Sequence, residues 1–320
     1  MNDALDPRRL TAAGVPEGVP RATVTWITPP SAATLPAERA QLEYSSRSIA
    51  FANDGTRLLR AWGPPERPWV VAIEPRGARW KIEAWGAGPA AARQAARELF
   101  SLEHPLEKFY SLVRREPVLR GTERRFRGLR LPRDASVYEA LLHAIVGQQL
   151  SVRAANALQR RLFDRVGASL SAGGVAVPCV PTPSRLGALS LEELRSVGLS
   201  RAKASALRSL AGWAASSPPS PAALAAQPLP DAIESLDRLP GVGRWTAENA
   251  LLRGAGRPDV FVAGDLGVRV ALEKYGAVRR SRPEAAARAW AERCYPGWGS
   301  YATLYLWRKL TADRSAATAG

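Results

Sequence analysis

Residues 233–254, IESLDRLPGVGRWTAENALLRG, decide the fold of this chain. A short amphipathic helix, IESLDRL, meets the turn LPGVG at 239–243, and a second helix begins at once with RWTA. Two glycines around one apolar residue let the backbone turn tightly, with positive φ where it is needed. They also leave no side chain between the backbone amides and a ligand. The stretch therefore predicts a helix-hairpin-helix unit.

The start of the second helix is the part of this unit that can bind an anion. Its first N–H groups have no partner inside the helix, and the helix dipole adds partial positive charge there. Such a terminus binds phosphate, and a contact made by backbone groups carries no sequence information. We therefore expect Gly241, Gly243, Arg244 and Thr246 to contact the backbone of a nucleic acid.

Charge supports a polyanionic partner. The 320 residues contain 45 Lys and Arg against 29 Asp and Glu, which gives a formal net charge of +16. Only five of the basic residues are Lys. An excess of this size makes nucleic acid the first candidate partner. A genome rich in Ala and Arg codons would produce the same composition, so charge alone does not decide.

Several classes of protein are excluded by the Cys and His content. Cys179 and Cys294 lie 115 positions apart, and His104 and His143 are the only histidines. No local disulfide framework, zinc knuckle or iron–sulfur ligand set can form from these residues. The first ten residues, MNDALDPRRL, lack the apolar run of a signal peptide, and no stretch reaches the length of a membrane span. We expect a cytoplasmic protein, associated with the nucleoid of a bacterial-type cell and with no membrane contact.

The chain divides into three parts. Residues 1–20 predict a flexible tail, and residues 21–112 an N-terminal α/β domain. Within that domain, period-2 runs separated by turn signals predict an antiparallel sheet; they are ATVTWIT, QLEYSS, SIAFA, RLLRAW, WVVAIE and RWKIEAW. From about residue 113 to 316 the hydrophobic period is helical. Two stretches, GASLSAGGVAVPCVPTP and WAASSPPSPAALAAQPLP, are interpreted as loose connectors.

Five segments occur together in an order and spacing that resemble the helix-hairpin-helix DNA glycosylase superfamily, and within it the 3-methyladenine DNA glycosylase II branch. The resemblance covers roughly residues 89–310. The segments are AIVGQQLS, PTPSRLGALSLEELRSVGLSRAKASALRSLA, LPGVGRWTAENALLRG, PDVFVAGDLGVRVAL and PGWGSYATLYLW.

The resemblance implies a fold and an activity. The fold is α+β, with the N-terminal sheet domain followed by an all-α glycosylase domain at 113–316. Two helical subdomains would enclose the active-site cleft. The activity is that of a monomeric, monofunctional DNA glycosylase in base excision repair. Its substrate would be double-stranded DNA that contains damaged bases, namely alkylated purines of the 3-methyladenine and 7-methylguanine type.

The resemblance assigns catalysis to Asp265, because members carry an aspartate some twenty residues after the hairpin. Asp265 follows Gly243 by 22 residues and directly precedes the helix LGVRVALEKY. Asp is also a favoured helix N-cap, so a purely structural role is the alternative. Negative charge is favoured at a helix N-terminus, which suits the stabilisation of a sugar cation.

Trp245 occupies the position where bifunctional members carry a lysine nucleophile. Without that amine no Schiff base forms, so we expect hydrolysis of the glycosidic bond without strand cleavage. The resemblance also places Trp245 and Trp298 in the base pocket, where electron-rich rings would attract a cationic purine. Both tryptophans would serve equally as core residues. Asn249 stands where some relatives have a tyrosine, which affects the lesion range.

Gln148, Gln149 and Leu150 follow a predicted helix that Ser136 and Glu139 start as a capping box. A flipped nucleotide leaves a gap in the base stack. The resemblance gives Gln149 the role of filling it, with Leu150 as the second candidate. A polar helix end without a special role is the alternative.

No cofactor is expected, apart from a structural Na⁺ or K⁺ that the resemblance places on hairpin carbonyls, here those of Leu239 and Gly241. Two other functions stay open at this point. One is a DNA-binding or damage-sensing protein that has lost catalysis, which the retained Asp265 argues against. The other is a glycosylase for a different lesion, such as uracil, hypoxanthine or oxidised guanine.

Overall fold

The computed structural model describes residues 22–30, 51–216, 218–278 and 284–319. The predicted tail at 1–20 and the predicted strand run QLEYSS lie outside these residues. Within them, the chain forms a five-stranded antiparallel sheet, a two-stranded hairpin and fourteen α-helices. The predicted α+β class, a sheet followed by a helical domain, is confirmed.

The sheet has the strand order β1-β5-β4-β3-β2, and every pair is antiparallel. The strands fall on the period-2 runs, and turn residues separate them, as predicted. The strands are β1 (Thr23–Ile27), β2 (Phe51–Asn53), β3 (Leu58–Trp62), β4 (Trp69–Arg76) and β5 (Arg79–Trp85).

Both faces of the central strand β4 are covered, which explains its unbroken apolar run. Val71 and Ile73 pack in the cluster formed with helix α1 (Pro89–Leu99). Val70 and Ala72 point the other way and pack in a second cluster with a later β-hairpin. A strand buried on both faces loses the polar alternation of a half-exposed strand.

That β-hairpin corrects the interpretation of GASLSAGGVAVPCVPTP as a loose connector. Its strands are β6 (Ala168–Ala172) and β7 (Val175–Cys179), paired in antiparallel register around Gly173 and Gly174. Both glycines have positive φ, which two-residue hairpin turns require. Gly-Gly between alternating apolar residues is the signal for such a turn. The hairpin belongs in sequence to the helical part but packs on the N-terminal sheet.

The helical part is built from α2 onward, and its elements surround one large apolar core. Helix α2 contributes Phe109 and Tyr110 to this core, so it packs with the helices that follow it. No helix among the described residues is long and apolar enough to cross a membrane. The helices are α2 (Leu106–Val113), α3 (Thr122–Arg125), α4 (Val137–Gly147), α5 (Val152–Val166), α6 (Pro183–Ala188), α7 (Leu191–Ser196), α8 (Arg201–Ala215), α9 (Pro221–Ala226), α10 (Leu229–Asp237), α11 (Arg244–Ala250), α12 (Leu266–Lys274), α13 (Glu284–Cys294) and α14 (Gly299–Ala319).

A buried ionic cluster joins the sheet to the helical part. Arg60 of β3 is almost fully buried, and its Nη2 donates to Asp134 Oδ1 at 3.3 Å and to Glu139 Oε1 at 2.7 Å. Glu139 also accepts from the backbone N–H of Ala135, and His143 Nδ1 lies 3.4 Å from Asp134 Oδ1. Glu139 and His143 are one turn apart on α4. The cluster therefore fixes the start of α4 against the sheet.

Basic side chains set the electrostatics of this cluster. Burial by itself raises the pKa of Asp134, but His143 and Arg60 more than offset it and lower that pKa below its ordinary value. Ligand atoms of Asp134, Glu139 and His143 lie close enough together to hold a metal ion. The Arg60 guanidinium already bonds to both carboxylates. It supplies the positive charge that a metal would bring, so this donor set does not fit a cation.

We predict that Arg60→Met strongly destabilises the protein, because two buried carboxylates lose the guanidinium that bonds to both of them. Removing one partner of a buried ion pair costs about 3–5 kcal/mol. The loss would be measured as the free energy of unfolding in urea. Arg67→Met is the matched control, since Arg67 is exposed and such surface changes stay within about 0.5 kcal/mol. Equal stabilities of the two variants would show that the cluster does not hold the domains together.

Candidate functional site

The hairpin uses its two glycines for different physical reasons. Gly241 has φ +82° and lies against α8, so that an added Cβ would overlap the side chain of Ala206. Gly243 has φ −100°, precedes α11 as its N-cap and has open space where a Cβ would be. Gly241 is therefore required by backbone conformation and packing. At Gly243 neither the backbone conformation nor the packing requires glycine, so access of a ligand to the backbone can explain this residue.

Gln148 and Thr246, both predicted DNA contacts, bond to each other across the site. The Gln148 side-chain Nε2 donates to the Gly241 carbonyl at 2.9 Å and to Thr246 Oγ1 at 2.9 Å. Thr246 is buried. The amide thus ties the end of α4 to the hairpin. A side chain engaged in this way positions the hairpin, and the DNA contact of Gln148 stays a prediction.

Gln149 and Leu150, the predicted wedge residues, form an exposed turn after α4. Gln149 has φ +57°, which is uncommon for a residue other than glycine. Its side chain is exposed, and Leu150 is 40% exposed although it is apolar. The N–H of Leu150 donates to the Gly147 carbonyl at 3.1 Å and closes the turn. The turn presents two projecting side chains next to the hairpin.

Asp265 lies where three donors converge on one carboxylate. As the N-cap of α12, its Oδ1 accepts from the backbone N–H of Val268 at 3.0 Å. The indole N–H of Trp307 donates to Oδ1 at 2.8 Å, and that of Trp245 to Oδ2 at 3.4 Å. The N-cap role and a functional role are therefore compatible. The carboxylate is half-buried and fixed in orientation from both sides.

The structure does not bring Trp298 to this carboxylate. Its ring packs 6.0 Å from that of Phe109 and 5.4 Å from that of Tyr301, measured between centroids. Trp307 follows it by nine residues, which along a helix is a rise of about 13 Å and half a turn of rotation. Trp307 supplies the second indole at Asp265, and the pocket role of Trp298 stays a prediction. Both tryptophans belong to the motif PGWGSYATLYLW. Their spacing of nine residues, which puts them on different sides of a helix, is the signal for Trp307 that sequence reasoning missed.

Gly267 is a second residue that sequence reasoning missed. A Cβ at this position would lie 3.0 Å from Asp265 Oδ1 and 3.2 Å from Trp307 Cδ1. Contacts this short require the neighbours to shift. The glycine therefore leaves the space in which the carboxylate and the indole meet. Glycine two residues after a candidate catalytic aspartate was the available signal.

Charged and polar side chains form a hydrogen-bonded network along α11. Glu248 is buried, and its Oε1 accepts from Arg244 Nε at 3.0 Å and from Arg288 Nη1 at 2.7 Å. Burial raises the pKa of Glu248, although both arginines act in the opposite direction. Asn249 donates to the carbonyl of Trp245 at 2.8 Å. Arg244, about half exposed, is thereby held at the start of α11 with its charge toward solvent.

The hairpin carbonyls expected to bind a monovalent cation already accept one hydrogen bond each. Leu239 O accepts from the N–H of Val242 at 2.9 Å, and Gly241 O accepts from Gln148. A carbonyl oxygen has two lone pairs, so each can accept one more contact. Neutral backbone oxygens are suitable ligands for Na⁺ or K⁺. The donor set is compatible with such an ion, with Gln148 as a competing donor at Gly241.

These groups define a chemistry. A carboxylate fixed between two indole rings can stabilise positive charge that develops next to it, and the rings can stack on a planar cation. Beside it, the turn at Gln149 offers a projecting side chain, and the start of α11 offers N–H groups that have no partner within the helix. Such a site suits the cleavage of a bond whose carbon becomes cationic.

The chain belongs to the HhH-GPD superfamily of base excision DNA repair proteins, and the sequence model of that family matches residues 142–296. It is 32% identical over 173 residues to DNA-3-methyladenine glycosylase 1 of Schizosaccharomyces pombe, covering 53% of this chain and 71% of that protein. It is 34% identical over 180 residues to DNA-3-methyladenine glycosylase 2 of Escherichia coli (strain K12). That match covers 56% of this chain and 60% of the Escherichia coli protein.

The architecture is similar to that of a solved relative along nearly its whole length. The 3-methyladenine DNA glycosylase from Archaeoglobus fulgidus superimposes with a TM-score of 0.77 at 24% identity. The superposition covers 90% of this chain and 98% of that one. It therefore includes the N-terminal sheet, for which the sequence offered no motif, and supports the fold of the residues that the structure describes.

We predict that the two hairpin glycines differ in their effect on stability. Gly241→Ala should lower the free energy of unfolding by about 2–4 kcal/mol, because the alanine would have to adopt a left-handed conformation and its Cβ would overlap Ala206. Gly243→Ala should change it by less than about 1 kcal/mol, because space and φ both permit alanine. Thermal or urea unfolding measures both variants. A larger loss for Gly243→Ala would contradict the packing of the hairpin on α8.

Proposed function

We propose that this protein is a monofunctional DNA glycosylase that releases alkylated purines, of the 3-methyladenine and 7-methylguanine type, from double-stranded DNA. The observation that carries the proposal is the Asp265 carboxylate, to which the indoles of Trp245 and Trp307 both donate. Relatives named DNA-3-methyladenine glycosylases support the same substrate class.

The reaction needs little from the protein, because an alkylated purine is already a cationic leaving group. The bond between C1′ and the base breaks, and its electron pair goes to the departing base. Positive charge develops on the sugar, where the Asp265 carboxylate stabilises it. Water then adds to C1′ and loses a proton to solvent. The Trp307 and Val268 donors hold the carboxylate, so no reorganisation is needed as the charge appears.

The damaged base would leave the DNA double helix and bind against the indole rings of Trp245 and Trp307. The attraction between an electron-rich ring and a cation is worth about 0.5–2 kcal/mol. Turning the nucleotide out costs a few kcal/mol, and the side chain of Gln149, with Leu150 beside it, would fill the gap. Both project from the exposed turn that follows α4.

DNA would be held mainly through its backbone. The space beside Gly243 at the start of α11 is open, and Arg244 adds a half-exposed charge next to it. A net charge of +16 adds attraction that does not depend on sequence. The protein would bind as a monomer. A Na⁺ or K⁺ on the carbonyls of Leu239 and Gly241 is part of this proposal, and no step of the reaction depends on it.

Release of methylated bases tests the proposal directly. The wild-type protein should free 3-methyladenine and 7-methylguanine from methylated duplex DNA, and the abasic product should stay uncut until alkali is added. Asp265→Asn should reduce release by about a hundredfold or more, because charge stabilisation is lost. Its binding to an abasic duplex should be retained, since Asn is also a good N-cap.

The outcomes separate the alternatives. Release by the Asn variant at near the wild-type rate would remove Asp265 from the mechanism. Release of uracil or oxidised guanine alone would change the lesion class. Binding to damaged DNA without any release would favour a damage sensor. A covalent adduct trapped by borohydride would overturn the monofunctional reading, because it requires an amine nucleophile.

A pair of tryptophan variants tests which ring belongs to the site. Trp307→Phe keeps an aromatic ring but removes the donor to Asp265, so kcat should fall about tenfold to a hundredfold, as expected for a hydrogen bond to a charged group. Trp298→Phe is the matched control and should leave kcat within about twofold, because that ring packs on Phe109 and Tyr301. The reverse order of effects would restore Trp298 to the pocket.

A further inference from the structure

Lys203 lies beside the turn that carries Gln149, and no role was predicted for it. Its Nζ donates to the carbonyl of Val146 at 2.8 Å and to the carbonyl of Gln148 at 2.7 Å. Both carbonyls belong to the end of α4. No carboxylate pairs with this ammonium among the residues that the structure describes. Its positive charge is therefore directed at backbone oxygens alone.

The end of α4 needs such a partner. The last carbonyls of a helix have no donor inside the helix and carry its negative partial charge. The chain then passes through φ +57° at Gln149, a conformation that residues other than glycine keep only when the surroundings hold them. A hydrogen bond to the carbonyl of Gln148 fixes the peptide unit that leads directly into Gln149.

The helix that supplies Lys203 also supports the hairpin. Ser200 caps α8 by accepting from the backbone N–H of Lys203. One turn further along α8, Ala206 packs against Gly241. A single helix terminus thus fixes both the turn at Gln149 and the hairpin. Partial burial lowers the pKa of Lys203 and so opposes its charge, and the two carbonyls are the polar partners that its ammonium keeps.

We propose that Lys203 is a positioning residue that holds the Gln149 turn in the conformation that enters the base stack. It does not act as a nucleophile, because its Nζ bonds to the carbonyls of Val146 and Gln148. The stacking role rests on the proposed function. The geometry that Lys203 imposes on the turn does not.

Insertion into DNA can be measured without any glycosylase reaction. The probe is a duplex with a tetrahydrofuran abasic site and 2-aminopurine as its neighbour, whose fluorescence rises when the stack opens. The wild-type protein should increase the fluorescence at saturation. Lys203→Met should reduce the increase at least threefold, and Lys203→Arg should restore most of it, since a guanidinium can also donate to two carbonyls. Arg201→Met is the matched control, an exposed cation lost from the same helix.

Activity supplies a second readout that a general loss of structure would not produce. On a lesion opposite its normal partner, Lys203→Met should lower the rate of release about tenfold. On the same lesion opposite a mismatch, where flipping costs less, the loss should shrink to about twofold. If the Met variant does not fold by circular dichroism, Lys203→Gln replaces it in both measurements.

The results distinguish this inference from the proposed function. Equal fluorescence for the wild-type and Met proteins, or the same loss of activity on both lesions, overturns the role of Lys203 while release of methylated bases stands. Loss of fluorescence that Arg restores, in a protein that releases no methylated base, supports Lys203 and overturns the function. Equal defects of Arg201→Met and Lys203→Met would show that the loss of one positive charge explains the effect, which would overturn the positioning role of Lys203.

Discussion

The close approach of Gly241 to Ala206 sets the position of the hairpin, and the rest of the site depends on it. No other residue type combines φ +82° with a backbone that can lie directly on α8. With the turn held there, its carbonyl meets the Gln148 amide and α11 begins in a fixed direction. Trp245 is the second residue of α11, and its indole N–H then donates to Asp265 Oδ2 at 3.4 Å.

Asp265 receives its geometry from elements far apart in sequence. Its backbone starts α12, one indole comes from α11 and the other from α14. Each element alone gives an ordinary feature: an N-cap, a helical tryptophan or a core aromatic. Only their convergence makes a carboxylate with both oxygens oriented. This is also why Gly267 matters, because it removes the one side chain that would separate Asp265 from Trp307.

Local patterns predicted the features that local physics determines. The capping Ser136, the helix-hairpin-helix unit and Asp265 as N-cap all follow from neighbouring residues, and each is present. Residues whose role depends on packing were harder. Trp298 and Trp307 differ by half a helical turn, and that difference has no meaning until α14 is placed against α12. The β6–β7 hairpin was missed although Gly173-Gly174 marks its turn, because proline and glycine nearby also mark a connector.

The N-terminal sheet acts on the site through α4. Near the beginning of α4, Asp134 and Glu139 bond to Arg60 of the sheet, and Gly254, after α11, packs closely on Val137. At its end, Gln148 bonds to the hairpin that starts α11. Helix α4 and the α11 segment therefore run antiparallel and are fastened at both ends. The sheet thus contributes to the geometry of the site without supplying a residue to it.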